Sequence, residues 1–179
     1  MFVLLLYYYE PLYSALLFAY GITNAGKTFT IRGERDEEKG LLPRALETLF
    51  TRIEAVRDTN PLEIHVAYFE VYNDDIYDLL TKHTSSEPAF RKKLRMHKQG
   101  VLGLREIHVD SVEEALALID RGQGNRMVGC NSLNADSSRS HTIFVIKLQK
   151  PCEDESMVTL FIHHIKSLTS VSHGLFASN

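Results

Sequence analysis

Cysteine is scarce in this chain: Cys130 and Cys152 are the only two among 179 residues, too few and too irregularly placed for a disulfide framework or a zinc site. That scarcity predicts an intracellular, reducing compartment. The eight histidines are scattered without ligand spacing. An excess of positive charge is missing as well. Lys plus Arg is 20 against Asp plus Glu at 23, for a net charge of -3, so no global positive field exists to hold nucleic acid or an anionic membrane. Any polyanion must be met by a local site. No apolar run reaches the roughly 18 residues of a membrane-spanning helix, because Glu10 and Pro11 interrupt the N-terminal stretch. Met1 to Tyr9 also lacks the basic region and the small-residue cleavage site of a secretory signal. A soluble protein is expected, with no nucleic-acid and no membrane partner. Apolar residues are plentiful at 44%, ample for a core in a chain of one-domain length, which excludes disorder as the whole answer.

Ser14 to Tyr20 (SALLFAY) is a short apolar run ending at a glycine, which predicts a strand buried on both faces. From Leu42, the apolar residues Leu46, Leu49, Phe50, Ile53 and Val56 recur at three and four positions, with Pro43 near the start, predicting an amphipathic helix. Leu62 to Tyr72 (LEIHVAYFEVY) is β-branched and aromatic on both alternating faces, as in an interior strand, and Asn73 to Asp75 breaks it. A polar loop, Thr81 to Pro88, precedes the basic residues Arg91, Lys92, Lys93, Arg95 and Lys98. Ser111 and Glu114 match a capping box that opens a second helix, expected to run out near Gly122 and Gly124. Thr142 to Leu148 and Met157 to Ile162 read as two more strands. Strands alternating with helices predict one α/β layered domain without repeat or linker.

Gly21 to Thr28 reads GITNAGKT, a complete GxxxxGK[ST] pattern lying between a predicted strand and a predicted helix. Its glycines let the backbone turn tightly, so that successive N–H groups face phosphate oxygens and the helix N-terminus adds its dipole. Lys27 supplies charge for the β and γ phosphates, and Thr28 a hydroxyl for Mg²⁺. A nucleoside triphosphate is the expected ligand. Asn134 to His141 reads NADSSRSH, a cluster of hydroxyls with one arginine. Taken alone, such a loop reads as solvated chain. Beside a phosphate-binding loop it can also present serine oxygens to metal or phosphate and an arginine to an anion.

Together these segments resemble the kinesin motor domain. FAYGITNAGKTFT is similar to its P-loop, FEVYNDDIYDLL to its strand-and-turn signature, and NRMVGCNSLNADSSRSHTIF to its switch I segment, all in family order. The resemblance spans roughly Pro11 to Lys150, and Asn24, where most kinesins have glycine, is similar to the branch associated with the spindle midzone and cytokinesis. It implies an α/β fold, the three-layer P-loop NTPase sandwich of the kinesin motor type, truncated at both ends. Gly21, Ile22, Thr23, Asn24, Ala25, Gly26, Lys27 and Thr28 would then hold ATP and Mg²⁺. Ser137 and Ser138 would approach the γ-phosphate and metal, with Ser138 a second metal ligand, and Asn134 would help to position the lytic water. Arg139 would pair with a switch II glutamate when the site closes. The basic stretch Arg91 to Lys98 falls near a family segment that faces acidic tubulin, and reads equally as a solvated loop.

The pattern departs at both ends. Residues 1–10 (MFVLLLYYYE) match neither the first strand of the family nor its adenine-stacking segment, so 11–150 is the partial motor-like region. In 151–179 the DLAGSE segment of switch II is replaced by HHIK and SLTSVSHGLFASN, and no Asp or Glu follows Glu155. The implied function is that of a microtubule motor fragment, cytoplasmic and on the cytoskeleton (microtubules or spindle), whose intact parent couples ATP hydrolysis to movement. The alternative is a P-loop domain that binds nucleotide or tubulin without turnover. A different P-loop enzyme, such as a small-molecule kinase, leaves NADSSRSH and EVYNDDIYDLL unexplained.

Overall fold

The apolar runs assemble into one nine-stranded sheet with helices packed against a face of it. The computed structural model describes residues 3–9, 14–20, 25–34, 38–81, 93–97, 100–132, 140–151 and 156–165. Along the chain these form β1 (Val3–Tyr9), β2 (Ser14–Tyr20), α1 (Lys27–Arg32), α2 (Leu41–Val56), β3 (Glu63–Tyr72) and β4 (Asp75–Asp78). There follow β5 (Lys93–His97), β6 (Gly100–Leu102), β7 (Ile107–Val109), α3 (Val112–Ser132), β8 (Ser140–Gln149) and β9 (Ser156–Ile165). The spatial order is β1-β2-β9-β8-β3-β4-β5-β6, and β7 also pairs with β3. β2 and β9 run parallel, whereas β8 is antiparallel to both β9 and β3.

The centre of the sheet follows from strand alternation. β3 and β8 pair along their whole lengths, from Glu63 opposite Gln149 to Tyr72 opposite Ser140. Val66, Tyr68, Phe144 and Ile146 face the helices and join Leu42, Leu46, Ala115, Leu118 and Ile119 in the main core. Their neighbours Ala67, Phe69, Ile143 and Val145 point the other way and pack with Ile76 and Leu94 in a second cluster. Tyr68 and Phe144, directly opposite in register, meet edge to face at 5.7 Å. The β3–β4 connection turns at Asn73 and Asp74, both with positive φ (48° and 67°), the conformation that short polar side chains tolerate best and that suits a tight hairpin.

Ser111 caps α3 as its spacing predicts, its Oγ accepting from the Glu114 N–H at 3.1 Å, while the Glu114 carboxylate accepts from the Asp110 N–H at 3.0 Å, one residue before the N-cap position of a regular capping box. The end of this helix differs from expectation. α3 does not stop at Gly122 and Gly124 but continues to Ser132. Gly122 is there for packing: a Cβ at this position would stand 2.8 Å from Tyr68 Cε1 and nearer still to Cδ1, so only glycine lets α3 lie this close to β3. β9 is also longer than the predicted MVTLFI, extending through His163 and His164 to Ile165. Among the described residues, no helix is long and apolar enough to cross a membrane.

At the start of β3, away from the phosphate-type turn, His65 and His108 place their rings 5.2 Å apart across the β3–β7 pair. His65 Nε2 lies 4.0 Å from Glu63, and its Nδ1 is buried without a hydrogen-bond partner among the described residues. Burial, then the charge of His108, pushes the His65 pKa below its ordinary value.

Candidate functional site

One edge of the sheet gathers the chain ends that matter. Ala19 of β2 lies opposite His164 of β9, His164 opposite Thr142 of β8, and Thr142 opposite Glu70 of β3. The carboxyl ends of β2, β9 and β3 therefore share an edge with the beginning of β8. This is the side of an open α/β sheet on which ligands bind.

The chain leaves β2 at this edge and enters GITNAGKT. Gly21, Ile22, Thr23 and Asn24 lie outside the described residues; Ala25, Gly26, Lys27 and Thr28 lie inside them. Gly26 precedes α1 with φ of 82°, a left-handed conformation that glycine adopts without strain, and its carbonyl accepts from the Thr30 N–H at 2.9 Å. Lys27 opens α1 and is only 4% exposed. Burial pushes its pKa below the ordinary lysine value of 10.5. A cation held out of water beside a glycine turn gains more from an anionic ligand than an exposed one does, which fits a phosphate group. Thr28 is exposed, and it lines a cleft of about 60 Å³ together with Arg32, Tyr68, Gln123, Arg126 and Thr142. A hydroxyl in that place suits Mg²⁺, a hard cation that prefers oxygen ligands. Among the described residues, no group of three or more His, Cys, Asp or Glu side chains is placed to hold a metal by itself.

Asn134, Ser137, Ser138 and Arg139 lie outside the described residues, as do Arg91, Lys92 and Lys98 of the basic stretch. Within that stretch Lys93 pairs with Asp75 at 2.6 Å and Arg95 is exposed on β5.

Ser140, near the end of NADSSRSH, belongs to a group whose other members, Glu70 and Arg126, sequence reasoning passed over. Arg126 on α3 donates from Nε to Glu70 Oε1 at 3.1 Å, and from Nε and Nη2 to Ser140 Oγ at 3.2 and 2.8 Å. Ser140 Oγ in turn donates to the same Glu70 oxygen. Glu70 is 1% and Ser140 0% exposed, so this is a buried ionic network at the first residue of β8. One signal was present in the sequence: a glutamate within the apolar run YFEVY must be paired if the strand is interior. Beside the network, Gln123 Nε2 donates to the Tyr68 hydroxyl at 2.6 Å. Burial raises the Tyr68 pKa, while a hydrogen bond with Thr142 and the charge of Arg126 act in the opposite direction.

Comparison with known proteins agrees with this geometry. The family model for the kinesin motor domain matches residues 12–169. The chain is 39% identical to kinesin-like protein 3 of Schizosaccharomyces pombe over 140 residues, 76% of this chain and 24% of that protein. It is 38% identical to the kinesin heavy chain of Botryotinia fuckeliana over 148 residues, 80% of this chain and 17% of that protein. The chain thus spans 24% or less of the length of these curated relatives. A solved fast kinesin, described for its ATPase mechanism and interactions with microtubules, superposes with a TM-score of 0.69 at 30% identity, covering 93% of this chain and 48% of that one.

Proposed function

This chain belongs to the kinesin motor domain family, and from that premise we propose that it binds Mg²⁺-ATP at Gly21 to Thr28 and is the nucleotide-binding part of a microtubule motor. The observation that carries the reading is the buried Lys27 at the turn between β2 and α1, on the same sheet edge as the start of β8. Lys27 would neutralise phosphate charge, the backbone of the turn would donate N–H groups to phosphate oxygens, and Thr28 would hold Mg²⁺. Bound Mg²⁺ supplies charge stabilisation for phosphoryl transfer. Ser137 and Ser138 would approach the γ-phosphate, Ser138 with the metal as well, Asn134 would orient water, and Arg139 would close the site. The three-layer arrangement of the family, a tubulin contact through the basic stretch Arg91 to Lys98, and a place on the cytoskeleton belong to the same reading.

A second reading, binding without turnover, has one observation in its favour. β9 sits between β2 and β8, yet its end carries His163, His164 and Ile165, and the sequence has no acidic residue after Glu155. The test is thermal unfolding of the chain with and without Mg²⁺-ATP, beside Lys27→Ala. A ligand at 100 times its dissociation constant adds about 2.7 kcal/mol. A Lys27-dependent rise supports the site, and its absence refutes it. Phosphate release with and without microtubules then separates turnover from binding.

A further inference from the structure

We propose that His65 and His108 form a binding site for a divalent transition-metal ion of the zinc, nickel or copper kind, held between their Nδ1 atoms across the β3–β7 pair. The site lies at the start of β3, away from GITNAGKT, and does not rest on the nucleotide reading. The two histidines are distant in sequence but directly opposite in register, with ring centroids 5.2 Å apart. Two imidazoles bound at about 2.0–2.1 Å to one tetrahedral ion place their ring centres about 5 Å apart, so strand pairing already sets the spacing such an ion needs.

The surroundings assign the nitrogens. His65 Nε2 lies 3.4 Å from Gln149 Nε2 and 4.0 Å from Glu63 Oε2, and His108 Nε2 lies 3.7 Å from Asp110 Oδ1. A metal-bound imidazole gives its other N–H to a carboxylate such as these, which fixes the tautomer and leaves Nδ1 for the ion. His65 Nδ1 is buried with no hydrogen-bond partner among the described residues, a cost that a bound ion removes. Charge agrees with this, because Glu63, Glu106 and Asp110 stand around the pair against Lys147, which itself pairs with Glu106. Burial, then the charge of His108, disfavours protonation of His65, and the neutral ring is the one that binds metal. Among the described residues no group of three His, Cys, Asp or Glu ligands forms, so water takes the remaining positions. Imidazole selects a borderline ion over the hard Mg²⁺ assigned to Thr28. Because β7 leads into α3 through Asp110 and Ser111, the ion would fasten the entry to that helix to the centre of the sheet.

The test titrates the metal-stripped chain with zinc chloride or magnesium chloride and follows the urea midpoint of the native protein, His108→Asn and His97→Asn. His97, exposed on β5, is the control. Zn²⁺ is expected to raise the midpoint of the native chain and of His97→Asn, and to bind His108→Asn more weakly by about tenfold or more, since losing a ligand costs at least as much as losing the partner behind it. Mg²⁺ is expected to leave all three unmoved. A native chain unmoved by Zn²⁺ overturns the site, as does an equal response to both ions or an undiminished zinc response in His108→Asn. Should His108→Asn fail to fold, the native chain decides: Zn²⁺ should slow the reaction of His108 with diethyl pyrocarbonate, read by peptide mass, and an unchanged rate overturns the proposal.

Discussion

Gly122 of α3 lies against the ring of Tyr68 on β3 so closely that a methyl group cannot be placed between them without displacing one element. Tyr68 is only 4% exposed and is held by Phe144 and Gln123, so its ring has little room to retreat. Gly122→Ala should therefore destabilise the domain by about 1–3 kcal/mol, outweighing the gain in helix propensity. Gly124, with open space around its Cα, is the control: Gly124→Ala should stabilise by about 0.5–1 kcal/mol. Urea midpoints of the two variants should move in opposite directions, and equal shifts would refute the packing role of Gly122.

Lys27 offers a test in which stability and ligand binding separate. Lys27→Met removes a charge from a buried position while keeping an apolar stem of similar length. The unliganded variant should remain folded, while its response to Mg²⁺-ATP vanishes. A variant that keeps the ATP-induced rise would place the phosphate elsewhere.

Removing one charge of the Glu70–Arg126 pair should cost more than removing the hydroxyl between them. Glu70→Ala leaves a guanidinium mostly out of water, an effect of about 3–5 kcal/mol, against about 1 kcal/mol for Ser140→Ala. Equal urea midpoints for the two variants would show that the carboxylate is not the centre of the network.

The depressed pKa of His65 gives a pH dependence whose sign is fixed. The folded chain binds this proton less readily than the unfolded chain, so as pH falls below the ordinary value of 6.5 the unfolded state takes up more protons and stability declines. The decline ends once pH has passed the lower, folded-state pKa. The groups facing His65 are His108, Glu63, Glu106, Lys147 and Gln149. His65→Asn should flatten the acid limb of stability below pH 6.5. An unchanged limb would assign it to other groups.

The sequence by itself determined the features whose chemistry lies in neighbouring residues. Gly26 sets the entry into α1, Ser111 and Glu114 encode a cap through their spacing of three, and the apolar stripe of α2 encodes its buried face. Such features need no knowledge of the rest of the chain, because backbone conformation and hydrogen bonding within a turn or two decide them. The family was legible for the same reason, from three contiguous signatures in order.

Only the tertiary structure decided what depends on distant chain meeting. Gly122 and Gly124 look like a helix end in sequence, and the close approach of Tyr68, 54 residues earlier, is what gives Gly122 its different role. Glu70, Arg126 and Ser140 converge across separations of 56, 14 and 70 residues, set by the β3–β8 register and by the packing of α3, neither of which a local pattern contains. Short-range rules marked the GITNAGKT pattern. Sheet pairing and burial formed the ionic group at the start of β8.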